Sequence, residues 1–133
     1  MAVTQPCAGG IVFDTQRRLL LIKRAHAPAA GTWSLPGGRC LTGEPAEHAC
    51  VREVAEETGL TVRVLRSAGS VTRDGLDGIV YAIEDFVCEA TGGRLCAGDD
   101  ADDVRWATRT DLQRIDLAPG LLTVLDEWQL LPD

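Results

Sequence analysis

The sequence predicts an α+β sandwich. Three observations carry that expectation. Strand-like segments flank one well-marked central helix, and two further helices close the chain, an order that suits sheet and helices packed in layers. Hydrophobic residues make up 45% and charged residues 25% of the chain, enough apolar material to offset the entropy of ordering it. The 133 residues fit one domain spanning residues 1–133.

The elements follow in order. Val3 to Phe13 reads as a strand, broken or bulged at Gly9-Gly10. Asp14 to Arg17 is a turn, and Leu19 to Lys23 is an apolar run suited to a buried strand. Ala25 to Thr32 is a loop, and Trp33 to Gly38 a tight corner. Pro45 to Thr58 is the clearest helix. Pro45 suits its first position, Glu47 its first turn, and Gly59 the left-handed residue past its end. Val51, Val54, Ala55 and Thr58 recur at helical spacing and give it a less polar face. Leu60 to Val71 and Ile79 to Ala90 are strands, with Thr91-Gly92-Gly93 a turn. Val104 to Ala107 is a short strand, and Thr110 is placed to cap a helix from Asp111. A last helix spans Pro119 to Leu131, with Leu121, Val124, Leu125, Trp128 and Leu131 on one face.

Charge narrows the partners. The formal net charge is -7, which disfavours duplex nucleic acid or an anionic membrane surface. Twelve of the thirteen basic residues are arginines, the side chain suited to bidentate phosphate contacts. The opening residues lack the basic start and apolar core of a secretory signal, and the longest aliphatic run is too short to span a bilayer. Five cysteines, none in a Cys-x-x-Cys pair, read as reduced thiols of a cytoplasmic protein.

The chemistry concentrates between Gly38 and Leu60. Glu53, Glu56 and Glu57 stand at i, i+3, i+4, so their carboxylates share a helix face. They repel one another, and they occupy the last turn, where the helix dipole is already negative. A helix stabilised for its own sake places Lys or Arg there. A divalent cation among the carboxylates resolves the conflict, and hard oxygen ligands favour Mg²⁺, with Mn²⁺ the alternative. The plain alternative is a solvated acidic face, with Arg52 in an exposed ion pair.

The full spacing is Gly38, five residues, Glu44, seven residues, then Arg52-Glu53-Val54-Ala55-Glu56-Glu57-Thr58-Gly59-Leu60. It matches all nine defined positions of the Nudix signature, seven of which demand one residue type. A chance match at a given position is on the order of 10⁻⁹. Gly9 to Val12, Leu20 to Arg24, Trp33 to Gly37 and Trp106 also resemble the family.

That resemblance implies an α/β/α sandwich around a mixed sheet and hydrolysis of a nucleoside diphosphate linked to a further group. It implies Glu53 and Glu57 as principal metal ligands, Glu56 as a further one, and the Gly37 carbonyl beside them. Glu44 and Arg52 would orient the carboxylates, and Gly38 and Gly59 would shape the loops. The general base is open between Glu56 and the run Asp99, Asp100, Asp102, Asp103, with Asp100 six residues before Trp106. Arg24, Arg39 and Arg73 flank the expected site as phosphate contacts, and Tyr81 is a candidate for base stacking. The stretch Tyr81 to Phe86 with the glycines that follow resembles short ADP-ribose pyrophosphatases, among which a homodimer is common. The rival readings are a (d)NTP pyrophosphohydrolase, including one acting on oxidised nucleotides, and a non-catalytic nucleotide sensor.

Overall fold

The computed structural model describes residues 3–27, 29–76 and 78–133. The elements are β1 (Val3–Phe13), β2 (Leu19–Arg24), β3 (Trp33–Ser34), β4 (Gly37–Arg39), α1 (Ala46–Thr58), β5 (Leu60–Asp74), β6 (Ile79–Gly93), β7 (Ala101–Ala107), α2 (Arg109–Leu112) and α3 (Leu121–Glu127). The strands form one mixed sheet in the order β3-β2-β1-β6-β5, with β4 pairing β1 and β7 pairing β2. β1 and β6 run parallel along the whole of β1, from Val3 opposite Ile79 to Phe13 opposite Glu89.

Period-two alternation sends successive side chains to opposite faces, and each face carries its own core. On one face Ala8, Val12, Leu20, Phe86 and Cys88 pack against Ala49, Cys50 and Val54 of α1. On the other, Ile11, Leu19, Leu21 and Val87 pack against Leu112, Leu121 and Leu125 of α2 and α3. The mixed sheet therefore sits between helices, as expected for an α+β sandwich.

Several local expectations change. Gly9-Gly10 is no bulge, because the β1–β6 register runs through it without a shift. The glycines admit close neighbours instead. A Cβ on Gly10 would stand 2.8 Å from Val54 Cγ2, so Gly10 lets α1 seat on the sheet, and one on Gly9 would collide with Asp85 Oδ1. Pro45 is the N-cap of α1 rather than its first residue, with extended ψ of 145°. Ala55 is exposed, and the buried stripe runs through Ala49, Cys50, Val54, Glu57 and Thr58. Trp33 to Gly38 holds two short strands. Thr91-Gly92-Gly93 continues β6, with Gly92 opposite Thr61 and Gly93 opposite Leu60. Thr108, not Thr110, caps α2, in a reciprocal capping box with Asp111. α3 starts at the first residue of its apolar pattern, after Gly120 as left-handed N-cap with φ of 82°, and stops short of the pattern's end, with Trp128 as C-cap and Gln129 left-handed at φ of 59°.

The end of α1 is tightly specified. Thr58 Oγ1 donates to the Val54 carbonyl at 2.6 Å and accepts from the Leu60 amide at 3.2 Å. Gly59 is left-handed with φ of 76°, and a Cβ there would run into the Arg94 carbonyl. Gly59→Ala is expected to lower the urea-unfolding free energy by about 2 kcal/mol, since strain and backbone collision add.

Candidate active site

A cleft of about 560 Å³ opens where β1 and β2 separate. The two strands pair at their hairpin end, Phe13 opposite Leu19, while Cys7, Ala8 and Gly9 in the middle of β1 take β4 as their neighbour instead. The cleft walls come from the sheet face by period-two spacing: Tyr81, Ile83 and Asp85 of β6, Val71 and Arg73 of β5, Cys7 and Gly9 of β1. Gly37, Gly38 and Arg39 of β4, Arg24 of β2, Glu57 of α1 and Asp100 complete it.

α1 brings its carboxylates to this edge. Glu57 is buried, 9% exposed, and its Oε2 accepts the Gly37 amide at 3.0 Å. Burial pushes its carboxyl up to about 8; the Gly37 bond and the Arg24 charge oppose this, while Glu53 and Asp100 reinforce it. Glu53 is also pushed up, first by burial and then by Glu56 and Asp100, against the pull of Arg52. Its carboxylate lies against Gly38, whose Cβ would stand 2.6 Å from Oε2. Gly38 is thus glycine because the Glu53 head group needs that space.

Arg52 is the organiser. Its Nε and Nη2 reach Glu44 at 2.9 and 2.8 Å, and its Nη1 reaches Glu53 at 2.8 Å and Glu56 at 3.3 and 3.4 Å. Its Nη2 also bonds the Arg39 carbonyl at 3.1 Å, which ties α1 to β4. Glu44 adds a bond to the Leu41 amide, and the Arg52 bonds with it hold its carboxyl down near 2. Glu44 and Arg52 therefore brace the loop before α1 and fix Glu53.

Among the described residues, no three His, Cys, Asp or Glu side chains already converge as a ready cation cage. Arg52 holds Glu53 and Glu56, while Glu57 is turned to the Gly37 amide. The donor set still fits a hard divalent cation: the charges of Glu53 and Asp100 raise the affinity of Glu57 for positive charge, Asp100 does the same for Glu53, and Glu57 is buried with one amide as its hydrogen-bond partner.

Arg24, Arg39, Arg73 and Tyr81 all line this same cleft. Arg39 Nη2 donates to Tyr81 Oη at 2.8 Å, with its guanidinium 5.4 Å from the ring centre. Of the acidic run, all described, Asp100 alone lines the cleft; Asp103 instead accepts the Val104 amide. His26 is exposed and stands 4.0 Å from Asp100, and it too lines the cleft. Asp85 escaped the sequence reading: a carboxylate only 6% exposed on the cleft floor. The signal was present in β6, where Tyr81, Ile83 and Asp85 share one face.

The NUDIX domain family model matches residues 3–128. The chain belongs to the NUDIX family. Among relatives of this NUDIX chain is the ADP-ribose pyrophosphatase of Methanocaldococcus jannaschii, 36% identical over 107 residues, covering 78% of this chain and 62% of that protein. Another is the mouse protein named 8-oxo-dGDP phosphatase NUDT18, 36% identical over 92 residues, covering 69% and 27%. This chain thus spans about six-tenths of the first relative's length and about a quarter of the second's. A MutT NUDIX hydrolase from Burkholderia pseudomallei superposes with a TM-score of 0.80 at 28% identity, over 93% of this chain and 97% of that one.

Proposed function

We propose that this NUDIX chain hydrolyses the pyrophosphate linkage of a nucleoside diphosphate derivative, ADP-ribose or a similar NDP-sugar, with Mg²⁺ and Mn²⁺ as alternative cations. One observation carries the reading: the buried Glu57 carboxylate, Asp100 and three arginines line a single cleft. An acidic site and an anionic pyrophosphate repel unless cations stand between them. Bound divalent cations would supply water activation and neutralise charge on the phosphoryl oxygens.

The residues take these roles. Glu53 and Glu57 are the principal ligands, with Glu56 and the Gly37 carbonyl completing the set. Arg52 and Glu44 hold Glu53 in place through the bonds already described. Asp100, at the cleft wall, and Glu56, exposed at the end of α1, are the candidates to take a proton from the attacking water. Arg24, Arg39 and Arg73 are placed along the cleft to bind phosphate oxygens, and the Arg39–Tyr81 pair presents a flat surface for a base.

The relative named ADP-ribose pyrophosphatase supports the first substrate class. The relative named 8-oxo-dGDP phosphatase supports a second, an oxidised or ordinary purine nucleotide. Product identification separates them. With Mg²⁺ and a mixture of ADP-ribose and nucleoside triphosphates, the proposal expects AMP and ribose 5-phosphate. A nucleoside monophosphate with inorganic pyrophosphate would move the enzyme to the second class. Folded protein that gives neither product would overturn the hydrolase reading.

A further inference from the structure

Asp85 is a buried acid that the hydrolytic chemistry leaves unused. It lies on β6 opposite Gly9 of β1, and its Oδ1 fills the space a Cβ at Gly9 would need. Among the described residues its side chain makes no hydrogen bond or ion pair. No fully buried side-chain polar atom lacks a partner there, so the Asp85 oxygens meet the open cleft. A carboxylate that is 6% exposed, bonds no protein donor and opens only on the cleft takes its donors from whatever fills that cleft, water or a ligand.

The surroundings say what kind of donor. Ile22, Leu35, Val71, Ile83 and Leu121 line the same cleft and give it apolar walls, with the Tyr81 ring beside them. Apolar walls with a few convergent polar groups suit a flat heterocycle better than a sugar or a phosphate. Arg73, two residues from Val71 on the same face of β5, pulls electrostatically on Asp85 and rests against Gly120, whose Cβ would stand 2.8 Å from Nη1. Asp85 is therefore the uncommitted acceptor of this wall, the complement of an amino group on a base edge.

We infer that Asp85 is a specificity residue that accepts the amino N–H of a purine base. The inference rests on reading the cleft as a nucleotide site, and it deepens that reading. A site built to hydrogen-bond a substrate amino group rejects the analogue that lacks it, because its own carboxylate is then left unpaired. IMP is that analogue for GMP, lacking its 2-amino group, and against AMP it puts a carbonyl, which a carboxylate repels, where the 6-amino group stood.

The test is equilibrium binding of AMP, GMP and IMP to the intact chain with Mg²⁺ present, read by calorimetry so that turnover is not needed. At least one of AMP and GMP is expected to bind about tenfold more tightly than IMP. Asp85→Leu, which is close in shape and removes every acceptor at that place, is expected to shrink that preference below about threefold. Asp85→Ala provides the same comparison if the leucine variant does not fold. IMP binding as tightly as AMP and GMP, or a preference that survives both substitutions, overturns the inference. So does failure of all three nucleotides to bind. An amino preference that depends on Asp85, in a protein without hydrolytic products, sustains base recognition while removing the hydrolase reading.

Discussion

Glu57→Gln is expected to reduce Mg²⁺-dependent turnover on the order of 10²–10³-fold while the chain stays folded. Electrostatic stabilisation of charge that develops on the phosphoryl group is a large contribution to such reactions, and loss of one stabilising group costs about that much. The substitution keeps the acceptor for the Gly37 amide in Oε1 of glutamine, so β4 and α1 stay joined. It removes a charge that burial already disfavours. Its thermal midpoint without added cation is therefore expected to equal or exceed that of the unaltered chain. A steady-state rate assay beside a melting curve checks both halves. Full activity would show that Glu57 holds no cation, and a large fall in midpoint would show that its role is structural.

Asp85→Asn is expected to stabilise the chain at pH 8 by about 3 kcal/mol, and to do nothing at pH 4 and below. Burial pushes the Asp85 carboxyl up from 3.8 to about 6, against a weaker opposing pull from Arg73. A raised value means that the folded chain binds the proton more tightly than the unfolded one. Stability from that proton is complete below the unfolded value near 4 and is lost as pH rises through about 6. At pH 8 the carboxylate is ionised and fully penalised, at about 1.4 kcal/mol per pH unit of displacement. Asparagine carries no such penalty. Urea unfolding of both forms at pH 4 and pH 8 gives the comparison. A gain that is the same at both pH values would remove the ionisation argument.

What the sequence disclosed and what it hid divide along one line. The carboxylate face of α1 was legible because i, i+3, i+4 spacing is local, and so was Gly59, whose left-handed role follows directly from where the helix ends. Gly9 and Gly10 were misread because a glycine in a strand has two causes, a bulge or a close neighbour. Here the neighbours are Asp85 and Val54, which are distant in sequence. Asp85 was passed over for the same reason. The stretch Glu84-Asp85-Phe86 shows alternation, but the strand pattern does not say which face meets a cleft until β1 and β5 are paired with β6. α2 and α3 drifted from their expected ends because Thr108 and Gly120 set where they begin and left-handed Gln129 keeps α3 from running on to Leu131. Arg52 was expected to hold a carboxylate; that it grips three, and the Arg39 carbonyl as well, depended on the path of the loop through Glu44.

The proposed role of the arginine-braced carboxylates has one central consequence: a divalent cation should bind through Glu53 and Glu57. Titration of Mn²⁺ against the protein, with free Mn²⁺ followed by electron paramagnetic resonance, tests that directly. Saturable binding that is displaced by Mg²⁺ and weakened at least tenfold in Glu57→Gln is the predicted result. Binding that is absent, or unchanged by that substitution, would contradict it.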